Sequence, residues 1–143
     1  ASRCFVNQEV GLDVSVRENL SIPSLLRRYM AFSDRVREGQ GARSSGRFFW
    51  LAGMFMLIRR SEFAAIGGFD ERFYLYCEDY DLCARLVLSG RRVAVADEAL
   101  ATHDARRDSR RSARHLRWHI ASLARVWTST SFWRLALCRD RRP

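Results

Sequence analysis

The longest nearly unbroken apolar run in this chain, Phe48 to Ile58, is only 11 residues long. A helix needs about 18–20 apolar residues to cross a bilayer. The run is therefore no membrane span, and the rest of the protein must cover it. Its length, and the Arg59-Arg60 pair that closes it, predict a buried strand. Gly53 interrupts the run, and a glycine inside a strand marks a bulge or a close approach of backbone to a ligand. At 143 residues the chain is sized for one domain. A hydrophobic share of 48% excludes a disordered chain. No signal peptide precedes the first strand signals, and Ala1 rather than Met points to a fragment or a processed chain.

Around that run the pattern alternates between short strands and helices. Val14 and Val16 alternate with Ser15 and Arg17, as in a strand. Pro23 suits the first turn of a helix over Pro23–Phe32. Residues 38–46, a Gly/Ser/Arg stretch, read as a loop. Ser61 is placed to cap a helix that runs to Ile66 and stops at Gly67-Gly68. An aromatic loop, Phe69 to Cys77, leads to a second helix that opens on Glu78, Asp79 and Asp81 and ends at Gly90. Arg91–Ala96 reads as a strand. A longer helix is expected over 109–128, with Leu116, Ile120, Leu123 and Trp127 as its apolar stripe. Phe132 to Leu137 follows as a second apolar segment. Cys77 and Cys83 sit in apolar surroundings and read as small, reduced core residues rather than metal ligands or disulfide partners.

Charge is distributed unevenly. The chain carries 25 Arg, no Lys and 16 acidic residues, for a net charge of +9. Residues 1–103 hold 14 Arg against 13 acids, whereas residues 104–143 hold 11 Arg against 3 acids. A nearly neutral body thus precedes a basic tail, which favours an anionic partner: nucleic acid, acidic lipid or a phosphorylated small molecule. The lack of Lys fits a GC-rich coding background, although Arg also grips phosphate in a bidentate way that Lys cannot.

The stretch with the most chemistry is Gly67 to Gly90. Three carboxylates open a helix behind an aromatic loop, and the helix dipole favours their ionised form by about 0.3–1 kcal/mol. An ionised carboxylate at the rim of a pocket can take the proton from an attacking hydroxyl. The same acids could equally do no more than cap the helix. His103, after the strand that follows, is a second candidate. His115 and His119 stand i, i+4 on the basic helix with no evident third ligand, and read as helix-surface residues.

Taken in order, Trp50–Arg60 (WLAGMFMLIRR), Phe63–Phe73 (FAAIGGFDERF), Leu75–Arg85 (LYCEDYDLCAR), Gly90–Val93 (GRRV) and His103 resemble the C-terminal half of family 2 glycosyltransferases. The nearest flavour is the bacterial rhamnosyltransferase-like branch. The resemblance covers residues 47–104 closely and 7–35 loosely. It implies a GT-A fold, a Rossmann-like α/β sandwich, and an inverting transfer of sugar from a nucleotide-sugar donor to an acceptor hydroxyl in bacterial surface-polysaccharide synthesis. By the family motif Asp79 would be the catalytic base and Glu78 its neighbour. Trp50, Gly53, Asp81 and Arg85 would bind substrate, and His103 would help hold a divalent metal, Mg or Mn. The family's Asp-x-Asp metal motif has no match before residue 79.

The chain therefore resembles an acceptor-side half, with residues 1–104 in the catalytic domain and 105–143 as a basic amphipathic tail. The implied partners are a nucleotide-sugar, a lipid-linked or glycan acceptor, and an anionic membrane surface met by residues 109–143. Nucleic acid is not expected, since no nucleic-acid motif accompanies the charge. The implied location is cytoplasmic, peripheral on the inner face of the cell membrane. The alternative is a non-catalytic module that binds a membrane or a partner.

Overall fold

A computed structural model describes residues 3–6, 11–13, 16–18, 20, 48–95, 100–103 and 112–137. The expected helix over Pro23–Phe32 and the loop over 38–46 lie outside them. The chain divides into two compact units. The first takes Ala1–Met56, Ala94–Asp104 and Asp140–Pro143, and the second takes Leu57–Val93 and Ala105–Arg139.

The first unit holds the strands. β1 (Arg3–Val6) lies between β2 (Gly11–Asp13) and β5 (Leu100–His103). It runs antiparallel to β2, with Phe5 opposite Leu12. It runs parallel to β5, with Val6 opposite His103. A parallel pair needs a long crossover, and here nearly the whole chain between the two strands provides it. β3 (Val16–Glu18) and β4 (Phe49–Leu51) form a separate antiparallel pair, with Arg17 opposite Trp50. Val16, Leu20, Trp50, Leu51 and Ala52 are buried.

The apolar run departs from expectation after its third strand residue. The chain leaves the ladder beyond Leu51 and turns at Gly53, which is exposed. β3 offers only three residues for pairing, and glycine weakens a strand. The rest of the run is irregular and only partly covered, with Leu57 98% exposed.

The described helices belong to the second unit: α1 (Arg60–Ala65), α2 (Glu78–Leu88), α3 (Ala113–Thr128) and α4 (Thr130–Leu137). α1 begins two residues earlier than expected. Ser61 is inside its first turn, and Arg59 occupies the cap position without a side-chain bond. Its end is as expected. Gly67 and Gly68 take φ of 78° and 70°, and their amides reach back to the carbonyls of Ala64 and Phe63. That pair of bonds satisfies carbonyls that the last helical turn would leave bare. A Cβ on Gly68 would also stand 3.2 Å from the Phe63 ring.

α2 ends the same way. Gly90, at φ 82°, bonds Val87, and the Arg91 amide bonds Leu86. The expected strand over Arg91–Ala96 is not formed: residues 91–95 carry no regular structure, and Ala96 lies outside the described residues. The Arg91 guanidinium explains part of this. It pairs with Glu62 and donates to the Ser89 carbonyl, so the chain is tied to the helix ends instead of extending along a sheet.

α4 packs against α2 and α3, with Phe132 and Val126 both buried. Leu82, Cys83 and Leu86 are buried in the core, and Cys77 is buried as well, the two cysteines as expected. α3 presents a different face from the one expected. Its buried residues are Ser122 and Val126, whereas Leu116 and Ile120 are 47% and 57% exposed. Residues 109–111 lie outside the description.

Candidate functional site

The approach to α2 is the most strained backbone among the described residues. Tyr76 and Cys77, neither of them glycine, stand at φ 70° and 64°. Each such residue costs about 1–3 kcal/mol and persists only where its surroundings over-determine it. Cys77 is buried and its carbonyl accepts the amide of Asp81, which starts the helix. Nothing caps the helix from the Cys77 side chain. The first turn is instead filled with acid: Glu78, Asp79 and Asp81.

The three acids have different surroundings. Asp79 Oδ1 accepts the Tyr80 amide at 2.8 Å. Glu78 is half-buried, and its Oε2 is a buried oxygen with no hydrogen-bond partner among the described residues. Burial pushes the Glu78 carboxyl above the ordinary glutamate value, and the neighbouring Asp79 charge adds to the push. Its own backbone amide works the other way. The helix dipole was expected to keep these acids ionised; at Glu78 desolvation outweighs it. Burial likewise pushes the adjacent Tyr80 hydroxyl upward.

Asp81 is buried and ion-paired. Its Oδ2 pairs with Arg85 Nε at 2.7 Å. The two terminal nitrogens of Arg85 donate to the carbonyls of Ile66 and Gly68, at 2.6 and 2.7 Å. One guanidinium therefore joins the first turn of α2 to the end of α1. Sequence reasoning assigned Asp81 and Arg85 to substrate; the bonds seen here are to each other and to backbone.

The loop before α2 is held by α3. The Tyr76 hydroxyl and His115 Nδ1 are 3.0 Å apart in a hydrogen bond, and the His119 ring lies 4.9 Å from the Tyr76 ring. Ser122 donates to the Leu75 carbonyl at 2.8 Å. Arg125 donates to the Arg72 carbonyl at 3.1 Å and covers the Phe73 ring. His115 and His119 are thus partly buried contacts, not the surface residues expected. Sequence reasoning missed this face because it followed only the apolar stripe. The signal was present: 115, 118, 119, 122 and 126 share one side of a helix.

Of the remaining predicted site residues, Trp50 is buried in β4 with the Arg17 guanidinium 5.4 Å above its ring. Gly53 stands in the turn beyond that strand. His103 ends β5, and its side chain lies outside the described residues. Among the described residues no three His, Cys, Asp or Glu side chains gather into a set that could hold a metal ion. No described helix is long and apolar enough to cross a membrane.

Comparison with known proteins places these features in context. The family model described as "Glycosyltransferase like family 2" matches residues 15–131. Rhamnosyltransferase WbbL of Escherichia coli (strain K12) is 44% identical over 77 residues, covering 53% of this chain and 29% of that protein. The N-acetylglucosaminyl-diphospho-decaprenol L-rhamnosyltransferase of Mycobacterium tuberculosis (strain CDC 1551 / Oshkosh) is 44% identical over 74 residues, covering 51% of this chain and 24% of that protein. The matched stretch thus spans less than a third of the length of either relative. No solved structure gives a significant match.

Proposed function

The chain belongs to the family 2 glycosyltransferases, and from that premise we propose that it is the acceptor-side part of an inverting sugar transferase with Asp79 as its catalytic base. Membership implies the GT-A α/β fold. The chain would be the C-terminal part of that fold, with residues 105–143 as its basic amphipathic tail. The observation that carries the reading is the Glu78-Asp79 pair, placed by two left-handed residues at the start of α2.

In the proposed step the acceptor hydroxyl oxygen bonds to the anomeric carbon while the bond from that carbon to the diphosphate breaks. The hydroxyl proton passes to the Asp79 carboxylate, and the nucleoside diphosphate leaves with the electron pair. Glu78, whose carboxyl is held above the ordinary glutamate value by burial, is the proposed neighbour that orients the acceptor or the base. Trp50 and Gly53 are further proposed substrate contacts. Asp81 and Arg85 tie the first turn of α2 to the end of α1.

Enzymes of the family generally use a divalent metal. The described residues do not form a site for one. His103 is the proposed contribution of this chain to that site.

The relatives' names point to the substrates: an L-rhamnosyl donor and an N-acetylglucosaminyl-diphospho-lipid acceptor. The proposed setting is bacterial cell-surface polysaccharide synthesis. The test is Asp79→Asn in the intact protein, assayed with a nucleoside-diphosphate L-rhamnose and N-acetylglucosaminyl-diphospho-decaprenol. Loss of a general base predicts a fall in kcat of about 10²–10⁴-fold. Unchanged transfer would remove Asp79 from the mechanism.

The exposed apolar side chains favour a membrane-surface role for the tail. Leu116 and Ile120 flank exposed Arg117 on α3, and Trp133 and Leu137 are exposed on α4. An apolar row among arginines suits the interface of an anionic bilayer, where a lipid-linked acceptor resides. A purely membrane-binding module would keep this property without transfer. Co-sedimentation with phosphatidylglycerol vesicles tests it, with binding expected for the parent and lost in a Leu116→Asp, Ile120→Asp variant.

A further inference from the structure

The segment from Arg72 to Cys77 runs straight into Glu78 and Asp79, and its last two residues are held in the left-handed region. Something must outweigh that strain. The bonds that do so come from one face of α3. Ser122 holds the Leu75 carbonyl, His115 holds the Tyr76 hydroxyl, and Arg125 holds the Arg72 carbonyl. The aromatic contacts agree: Tyr76 lies on His119, and Tyr74 lies 5.0 Å from Trp118. Three successive turns of α3 thus grip a stretch of five residues. Ser122 is itself buried, so its hydroxyl is committed to this bond.

We propose that α3 is the positioning helix of the acid pair, and that His115, Ser122 and Tyr76 are positioning residues for Glu78 and Asp79. This rests on the reading of Glu78-Asp79 as the acid pair of sugar transfer. The basic segment then does more than locate the enzyme. Its inward face sets the backbone that aims the base, while its outward face remains available to the surroundings. A base displaced by a fraction of an ångström loses alignment with the hydroxyl it serves, and rate falls without loss of substrate binding.

The experiment uses Ser122→Ala and Tyr76→Phe in the intact protein, each of which deletes one oxygen and little volume. Steady-state transfer is measured with the donor and acceptor named above. Amide hydrogen exchange is followed at residues 73–79 and, as a control, at 82–86 in the interior of α2. The expected result is a kcat lowered about 10-fold with KM within about 2-fold for both substrates. Exchange should quicken about 10-fold at 73–79 and stay unchanged at 82–86. A raised KM at unchanged kcat would overturn the proposal by making these residues direct substrate contacts. Exchange that quickens equally at 82–86 would overturn it by showing general destabilisation. No change in either measurement would overturn it as well. If the parent protein transfers no sugar, the catalytic reading fails on that result alone. The exchange comparison still decides whether α3 holds the loop.

Discussion

Glu78 and Asp81 are three residues apart on the same helical turn, and their surroundings are opposites. Asp81 is buried with its carboxylate bonded to a guanidinium that is itself bonded twice more. Glu78 is half-buried with one oxygen bonded to nothing described. A fold that pairs one acid could have paired the other. Glu78 stands next to Asp79, the proposed base, and directly after the strained turn. On the proposed reading, Asp81 holds structure through its ion pair, whereas Glu78 leaves bonding capacity unused and carries the cost of it.

The largest test of that contrast is Asp79→Asn, where the proposed loss is confined to kcat while the melting curve keeps its midpoint. A variant that unfolds instead would put Asp79 on the structural side. Next comes Arg85→Ala. It leaves a buried carboxylate unpaired and two backbone carbonyls bare, which predicts a destabilisation of about 2–3 kcal/mol. Urea unfolding measures it, and a change below about 0.5 kcal/mol would show that the clamp holds little.

Glu78→Gln should act in the opposite direction. A carboxyl whose value is raised on folding binds its proton more tightly in the folded chain. It therefore penalises folding as pH rises above the ordinary value of 4.5. The variant should melt higher than the parent at neutral pH and together with it near pH 4. Equal melting at both would mean that burial does not strain this group. The smallest effect belongs to Asp70. Its hydrogen bonds with exposed Arg72 lower its carboxyl to about 2. That contribution is present above the ordinary value of 3.8 and is lost as pH falls through about 2. Asp70→Asn should be barely visible in a melting curve at neutral pH, because exposed pairs are screened by solvent.

What the sequence made legible follows from how local each cause is. The start and stop of α2 were readable from acids in the first turn and Gly90 after the last, because both act within a few residues. The end of α1 at Gly67-Gly68 was readable for the same reason. The truncation of the apolar run at Leu51 was not, since it depends on the three residues that β3 offers as a partner. Nor was the missing strand after Gly90, which depends on Arg91 reaching Glu62 from a distant helix. The inward face of α3 was hidden because its contacts are polar and aromatic. His115 and Ser122 gain their place from partners in the loop, whereas hydrophobic periodicity sees only Leu116 and Ile120. For the acids, the motif marked Glu78 and Asp79 together, but the buried, unpartnered oxygen of Glu78 emerged only from the packing.

The two faces of α3 also restrict how its length can change. Each residue in a helix advances the side chains by about 100° around the axis. Inserting or deleting a single residue between His115 and Ser122 would turn every later side chain out of phase with the earlier ones. Ser122 and Arg125 would then swing away from the loop carbonyls they hold. Substitutions at Leu116 or Ile120 carry no such consequence. The hold on the loop tolerates changes on the outer side of the helix but not a shift of its reading frame.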